Sequence, residues 1–150
     1  MRKIIVVIML AGLVVLFGCS SSEKTSSGGA DSNVAIIPVP SYIEMESGTF
    51  EMSPGFRILV DDNSTEVKNV AEYFAERLRV ASGFEVPVGN LEDAKEGKTA
   101  LALSLGPSEN NLGKEGYQLE VKTERIDLRA NQPAGLFFGI QTIFQLLPDE

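Results

Sequence analysis

The 150-residue chain has no histidine, no tryptophan and a single cysteine. Without histidine there is no His-based acid–base triad and no HExxH zinc site, and most transition-metal sites lose their commonest ligand. One cysteine excludes an intrachain disulfide. The three tyrosines, Tyr42, Tyr73 and Tyr117, are scattered rather than grouped, so the aromatic platform of a glycan-binding module is not in view. Basic residues are scarce as well, 13 against 21 acidic ones. With no basic stripe, nucleic acid is not an expected partner.

Local motifs that resemble reactive sites do not hold up. Gly97-Lys98-Thr99 suggests a phosphate loop, but the glycine required five residues before Gly97 is replaced by Glu92. Asn63-Ser64-Thr65 matches a glycosylation acceptor, yet helix capping accounts for it. The pairs Asp61-Asp62 and Glu92-Asp93 lack metal-loop spacing and suit solvated turns. No catalytic set, no metal site and no cofactor is expected.

The first 19 residues have the pattern of an export signal. Arg2 and Lys3 precede a short apolar core, and Leu16-Phe17-Gly18-Cys19 is similar to the lipobox of bacterial lipoproteins, with Phe17 bulkier than usual. Cys19 is therefore the expected lipidation site. A diacylglycerol thioether plus an N-acyl chain would hold the protein durably on a membrane, and Ser20 after Cys19 fits outer-membrane sorting. Residues 20–33 are rich in Ser, Gly, Thr and Ala and cannot bury enough surface to order themselves, so a flexible tether is expected there. Residues 34–150 suffice for one domain with one core.

Within that domain, Ile36-Ile37-Pro38-Val39-Pro40 reads as an extended edge segment. Short strands are expected at 48–52, 57–60 and 84–88, and a half-buried helix over 65–81, opened by Asn63 and Glu66 at capping-box spacing. Residues 99–105 are apolar on both faces, as a central strand would be. Tyr117, Leu119 and Val121, then Ile126, Leu128 and Ala130, alternate with polar residues around a turn at Thr123-Glu124, which is a β-hairpin with one buried face. The resulting fold class is α+β: a mostly antiparallel sheet with two helices packed on one face.

The last stretch has no charge between Arg129 and Asp149. Pro133 can open a helix and Pro148 stops it. Leu136, Phe137, Ile140, Ile143, Phe144 and Leu147 form an apolar stripe, and Phe138 and Leu146 flank a shallow row of Gly135, Gly139 and Thr142 on the other side. A span of roughly 15 residues reaches only about 22 Å, short of a bilayer core of about 30 Å. A soluble helix that is apolar on two sides needs two partners. Phe138, Leu146, Gly135, Gly139 and Thr142 are thus the expected domain-docking residues. The competing expectation is that this side packs in the domain's own core or in a homodimer.

Three separated segments carry a family resemblance. Glu115-Gly116-Tyr117-Gln118-Leu119-Glu120-Val121 resembles an E-G-Y-x-L-x-V hairpin. Residues 134–147 are similar to an A-G-x-x-x-G-x-Q-T-x-x-Q-L-L helix. The opening Ile36-Ile37-Pro38-Val39-Pro40 with Gly48-Thr49-Phe50 completes the set. Together they resemble the N-terminal domain of family 20 glycoside hydrolases, the β-N-acetylhexosaminidases. The resemblance implies a non-catalytic α+β domain ahead of a (β/α)8 barrel. It implies release of terminal N-acetylhexosamine by a substrate-assisted mechanism, with the catalytic Asp-Glu pair on the barrel. No catalytic residue carries over to this chain, whose 150 residues hold no barrel segment and are expected to be an inactive fragment or truncated frame. The partners implied are that barrel and, through acylated Cys19, a lipid membrane of the bacterial envelope. The alternative function is a free-standing envelope lipoprotein that binds a glycan or a protein.

Overall fold

The computed structural model describes residues 35–61, 64–93, 98–107 and 112–148. The signal segment with Cys19 and the tether at 20–33 lie outside the described residues. Five strands and two helices follow in the order β1 (Arg57–Val60), α1 (Thr65–Ser82), β2 (Val88–Asn90), β3 (Ala100–Leu105), β4 (Tyr117–Val121), β5 (Arg125–Ala130) and α2 (Pro133–Leu146). A single 3-10 turn at Leu91–Asp93 lies between β2 and β3.

The strands form one sheet in the order β2-β1-β3-β5-β4. It is α+β as expected, but mixed rather than mostly antiparallel. β1 runs parallel to both β2 and β3, and β3 runs parallel to β5; only the β4–β5 hairpin is antiparallel. The reason lies in the connections. The helix α1 separates β1 from β2, and such a crossover brings the chain back to start the next strand in the same direction. The hairpin then adds β4 at the outer edge and returns β5 beside β3. Central β3 is buried along its first four residues, in keeping with its two apolar faces.

Helix α1 forms because Val67, Ala71, Phe74, Ala75 and Leu78 recur at helical spacing and are all buried. Its N-cap is Ser64, whose hydroxyl accepts from Val67 N–H at 3.2 Å; the expected Asn63 box lies outside the described residues. Gly83 closes it at φ 71°, a left-handed cap, and donates its N–H to the Arg79 carbonyl. α2 opens on Pro133 with no side-chain cap, since Gln132 supplies none. Neither helix is long and apolar enough to cross a membrane.

Both helices pack on the sheet face that carries Ile58, Val60, Leu101, Leu103, Ile126, Leu128 and Ala130, and these residues share one core with Phe56, Phe74, Leu136 and Ile140. Each of these side chains larger than alanine contributes about 1.5–3 kcal/mol on burial. The segment at 48–52 is not a strand, and the strand expected at 84–88 begins only at Val88, as β2, which corrects two expectations. Phe50 and Met52 instead lean on the core from one end, with Phe50 edge-on to Phe56 at 6.0 Å. Residues 36–40, expected as an extended edge segment, form no strand, and Ile37 is tied to α2.

Candidate docking face

The orientation of α2 is set by its smallest residues. A Cβ added at Gly139 would stand 2.3 Å from Leu128 Cδ1, and one at Gly135 would stand 2.4 Å from the Gly116 carbonyl oxygen. Both glycines therefore face the sheet, where their lack of a side chain lets α2 settle against β5 and the start of β4. Thr142 lies on the same inward side; it is buried and its hydroxyl hydrogen-bonds the Tyr117 hydroxyl. This corrects the sequence expectation for Gly135, Gly139 and Thr142. They form the contact of α2 with its own strands, not part of an outward row.

The buried arc of α2 comprises Gly135, Leu136, Gly139, Ile140, Thr142 and Ile143. Relative to the stripe expected from sequence it is turned by most of a quarter revolution, and Phe137 moves outward. The outward arc then holds exposed Ala134, Phe137, Phe138 and Gln145, with Gln141 half-buried among them. Phe137 is 38% exposed and Phe138 44%, with their rings edge-on at 6.0 Å. Leu146, 41% exposed, lies at the last turn, about 80° around the helix from Phe138. Of the five residues expected at the docking face, the fold thus leaves Phe138 and Leu146 accessible.

Helix α1 supplies the rest of the surface, which its own periodicity did not reveal. Tyr73 packs on Phe137 at 5.5 Å between ring centroids and meets Phe144 edge-on at 6.5 Å. Phe74 anchors Phe144 from below at 4.9 Å. The Arg77 guanidinium caps this cluster, 4.9 Å from the Tyr73 ring and 5.9 Å from that of Phe144. Gln141 Nε2, also on α2, is enclosed and has no hydrogen-bond partner among the described residues. The result is a ridge of aromatic edges bearing one cation, Arg77.

The opposite sheet face has a different character. Arg125 Nε donates to Asp127 at 2.6 Å, and Lys122 Nζ lies 3.0 Å from Glu120 and 3.7 Å from Asp127. The hydrogen bond to Glu120 is the main cause holding the Lys122 ammonium above its ordinary pKa. On the leading segment, the Tyr42 phenol is raised for a similar reason, because its hydroxyl donates to Glu44. Both groups are solvent-exposed, and neither arrangement pairs a nucleophile with a base. Among the described residues no three carboxylates or other ligand groups gather as a metal site would require.

Comparison with known proteins agrees with the fold. The family description "Glycosyl hydrolase family 20, domain 2" matches residues 33–150. The Beta-hexosaminidase of Porphyromonas gingivalis strain W83 is 27% identical over 140 residues, covering 92% of this chain and 17% of that protein. The Beta-N-acetylhexosaminidase of Cellulomonas fimi is 32% identical over 113 residues, covering 75% of this chain and 22% of that one. The solved structure of the Streptomyces plicatus N-acetyl-beta-hexosaminidase superposes with a TM-score of 0.66 at 34% identity, over 75% of this chain and 21% of that one. The chain thus spans about a fifth of the length of the relatives it matches.

Proposed function

Because the chain belongs to the family of glycosyl hydrolase family 20, domain 2, we propose that it is the accessory, non-catalytic domain of a β-N-acetylhexosaminidase-type glycosidase, and that it supports a catalytic barrel through the outward ridge of α1 and α2. The observation that carries this reading is the pairing of exposed Phe137 with Tyr73, and of exposed Phe138 with Phe137, on a helix already buried on its other side. Each phenylalanine left partly in water forgoes a share of the 1.5–3 kcal/mol or so that full burial would give. The chemistry itself, release of terminal N-acetylhexosamine with help from the substrate's acetamido group, belongs to the barrel. No residue described here is assigned to it.

Lipidation at Cys19 forms part of the same proposal, supported by the lipobox-like Leu16-Phe17-Gly18-Cys19 and the polar stretch after it. It places the domain on the bacterial cell envelope at the end of a tether. Two measurements test these statements. The purified 150-residue chain is expected to release no p-nitrophenol from the p-nitrophenyl β-glycoside of N-acetylglucosamine, and turnover would remove the accessory reading. Expressed in a bacterium with its leader intact, the chain is expected to incorporate labelled palmitate and fractionate with membranes. Cys19→Ser should abolish both, and unchanged labelling would exclude Cys19 as the anchor.

A further inference from the structure

Residues 35–52 contain no strand or helix, yet they are not loosely attached. Ile36 is buried, in a place separate from the contiguous core. Beside it, Gln145 reaches Ile37 from the last turn of α2. Its Oε1 accepts from the Ile37 N–H at 2.8 Å, and its Nε2 donates to the Ile37 carbonyl at 2.9 Å. A primary amide satisfying both backbone groups of one residue reproduces the exchange found between paired strands. The same Nε2 lies 3.5 Å from the Gln141 carbonyl, which holds the amide in that orientation.

The neighbouring side chains do not share this task. Ile37 is 80% exposed and Val39 86%, while Tyr42 spends its hydroxyl on Glu44 inside the segment. The next firm attachment is Phe50, against Phe56 of the core. The segment is therefore a strap held at both ends. At one end are the aromatic contact at Phe50 and the close approach of Gly48 to Thr123, and at the other is the Ile36–Ile37 pair at the foot of α2.

We propose that Gln145 is a latch, a positioning residue that fastens the strap to α2 and brings the chain's approach to the domain next to the end of its last helix. Without it the strap peels back toward Phe50 while the sheet and both helices stay folded. The pair of bonds is exposed, so water competes for it, and its opening costs less than global unfolding. With the latch closed, Ile37 lies against the last turn of α2, so tension applied at residue 35 reaches α2 without passing through β1. This inference stands apart from the docking reading, since it concerns the strap alone.

Hydrogen exchange on the 150-residue chain tests it, with the wild type compared against Gln145→Leu, which keeps the side chain's bulk and removes both polar atoms. Protection of the Ile37 amide is expected to fall roughly tenfold or more, while amides of β3 and β5 keep their wild-type protection. In the wild type, exchange at Ile37 should respond weakly to sub-denaturing urea, as local opening does, whereas β3 follows the full urea dependence of unfolding. Unchanged Ile37 protection in Gln145→Leu would overturn the latch. So would a urea dependence at Ile37 equal to that of β3. If Gln145→Leu fails to fold, the wild-type urea series decides on its own.

Discussion

Gly135 and Gly139 show how a residue without a side chain can direct a helix. Alanine in place of a mid-helix glycine ordinarily adds up to about 1 kcal/mol of helix stability. Here Gly139→Ala would drive a methyl into Leu128, which is itself fully buried, and Gly135→Ala would meet the Gly116 backbone carbonyl. Overpacking of this kind costs about 1–3 kcal/mol. Both variants should therefore lower the urea midpoint despite the better propensity, Gly135→Ala more so because a backbone atom cannot swing away. A rise in midpoint for either would mean that α2 stands further from the sheet. Tyr117 and Thr142 make a second residue-scale tie. Tyr117→Phe leaves a buried hydroxyl unpaired and should cost about 1–2 kcal/mol. The double change with Thr142→Val should recover part of that, as a thermodynamic cycle can measure. The small-residue row was legible in the sequence as a place of close approach. Its direction was not, because periodicity alone assigned the larger Phe137 to the core side.

Elements with long, regular patterns were readable before the fold was known. The helix expected at 65–81 is α1, the hairpin expected from alternation is β4–β5, and the prolines at 133 and 148 bracket α2. Alternation reports which face is buried but carries no information on strand direction, so the parallel pairs of β1, β2 and β3 were missed. Two clues to them were present, the strand-helix-strand order around α1 and the two-faced apolarity of β3. Thr49 and Phe50 have strand propensity, but packing against Phe56 overrode it. At this scale the exposed ridge makes a specific demand on solubility. Phe137→Asn with Phe138→Asn should raise the concentration at which the chain stays monomeric while leaving its far-UV circular dichroism unchanged. Loss of the fold would show that both rings belong to the internal core.

The molecule as a whole is a two-layer domain with one polar sheet face and one aromatic helix face, and the assignment to its family follows from the match over residues 33–150. Most of this was legible in three separated motifs. The share of α1 in the ridge was not, since Tyr73 and Arg77 look like ordinary positions on a half-buried helix until α2 lies beside them. The Gln145–Ile37 pair was equally hidden, because its partners stand 108 positions apart, and the two motifs that contain them say nothing of their meeting. The ridge is the central claim, and a chimera tests it most directly. The matching region of the Cellulomonas fimi enzyme, 32% identical, would be replaced by this chain's domain and the temperature of half-inactivation recorded. Phe137→Asp with Phe138→Asp is expected to lower that temperature, whereas Arg129→Glu on the far sheet face is expected to leave it unchanged. Indifference to the phenylalanine changes, or sensitivity to Arg129→Glu in their place, would contradict docking through the helices.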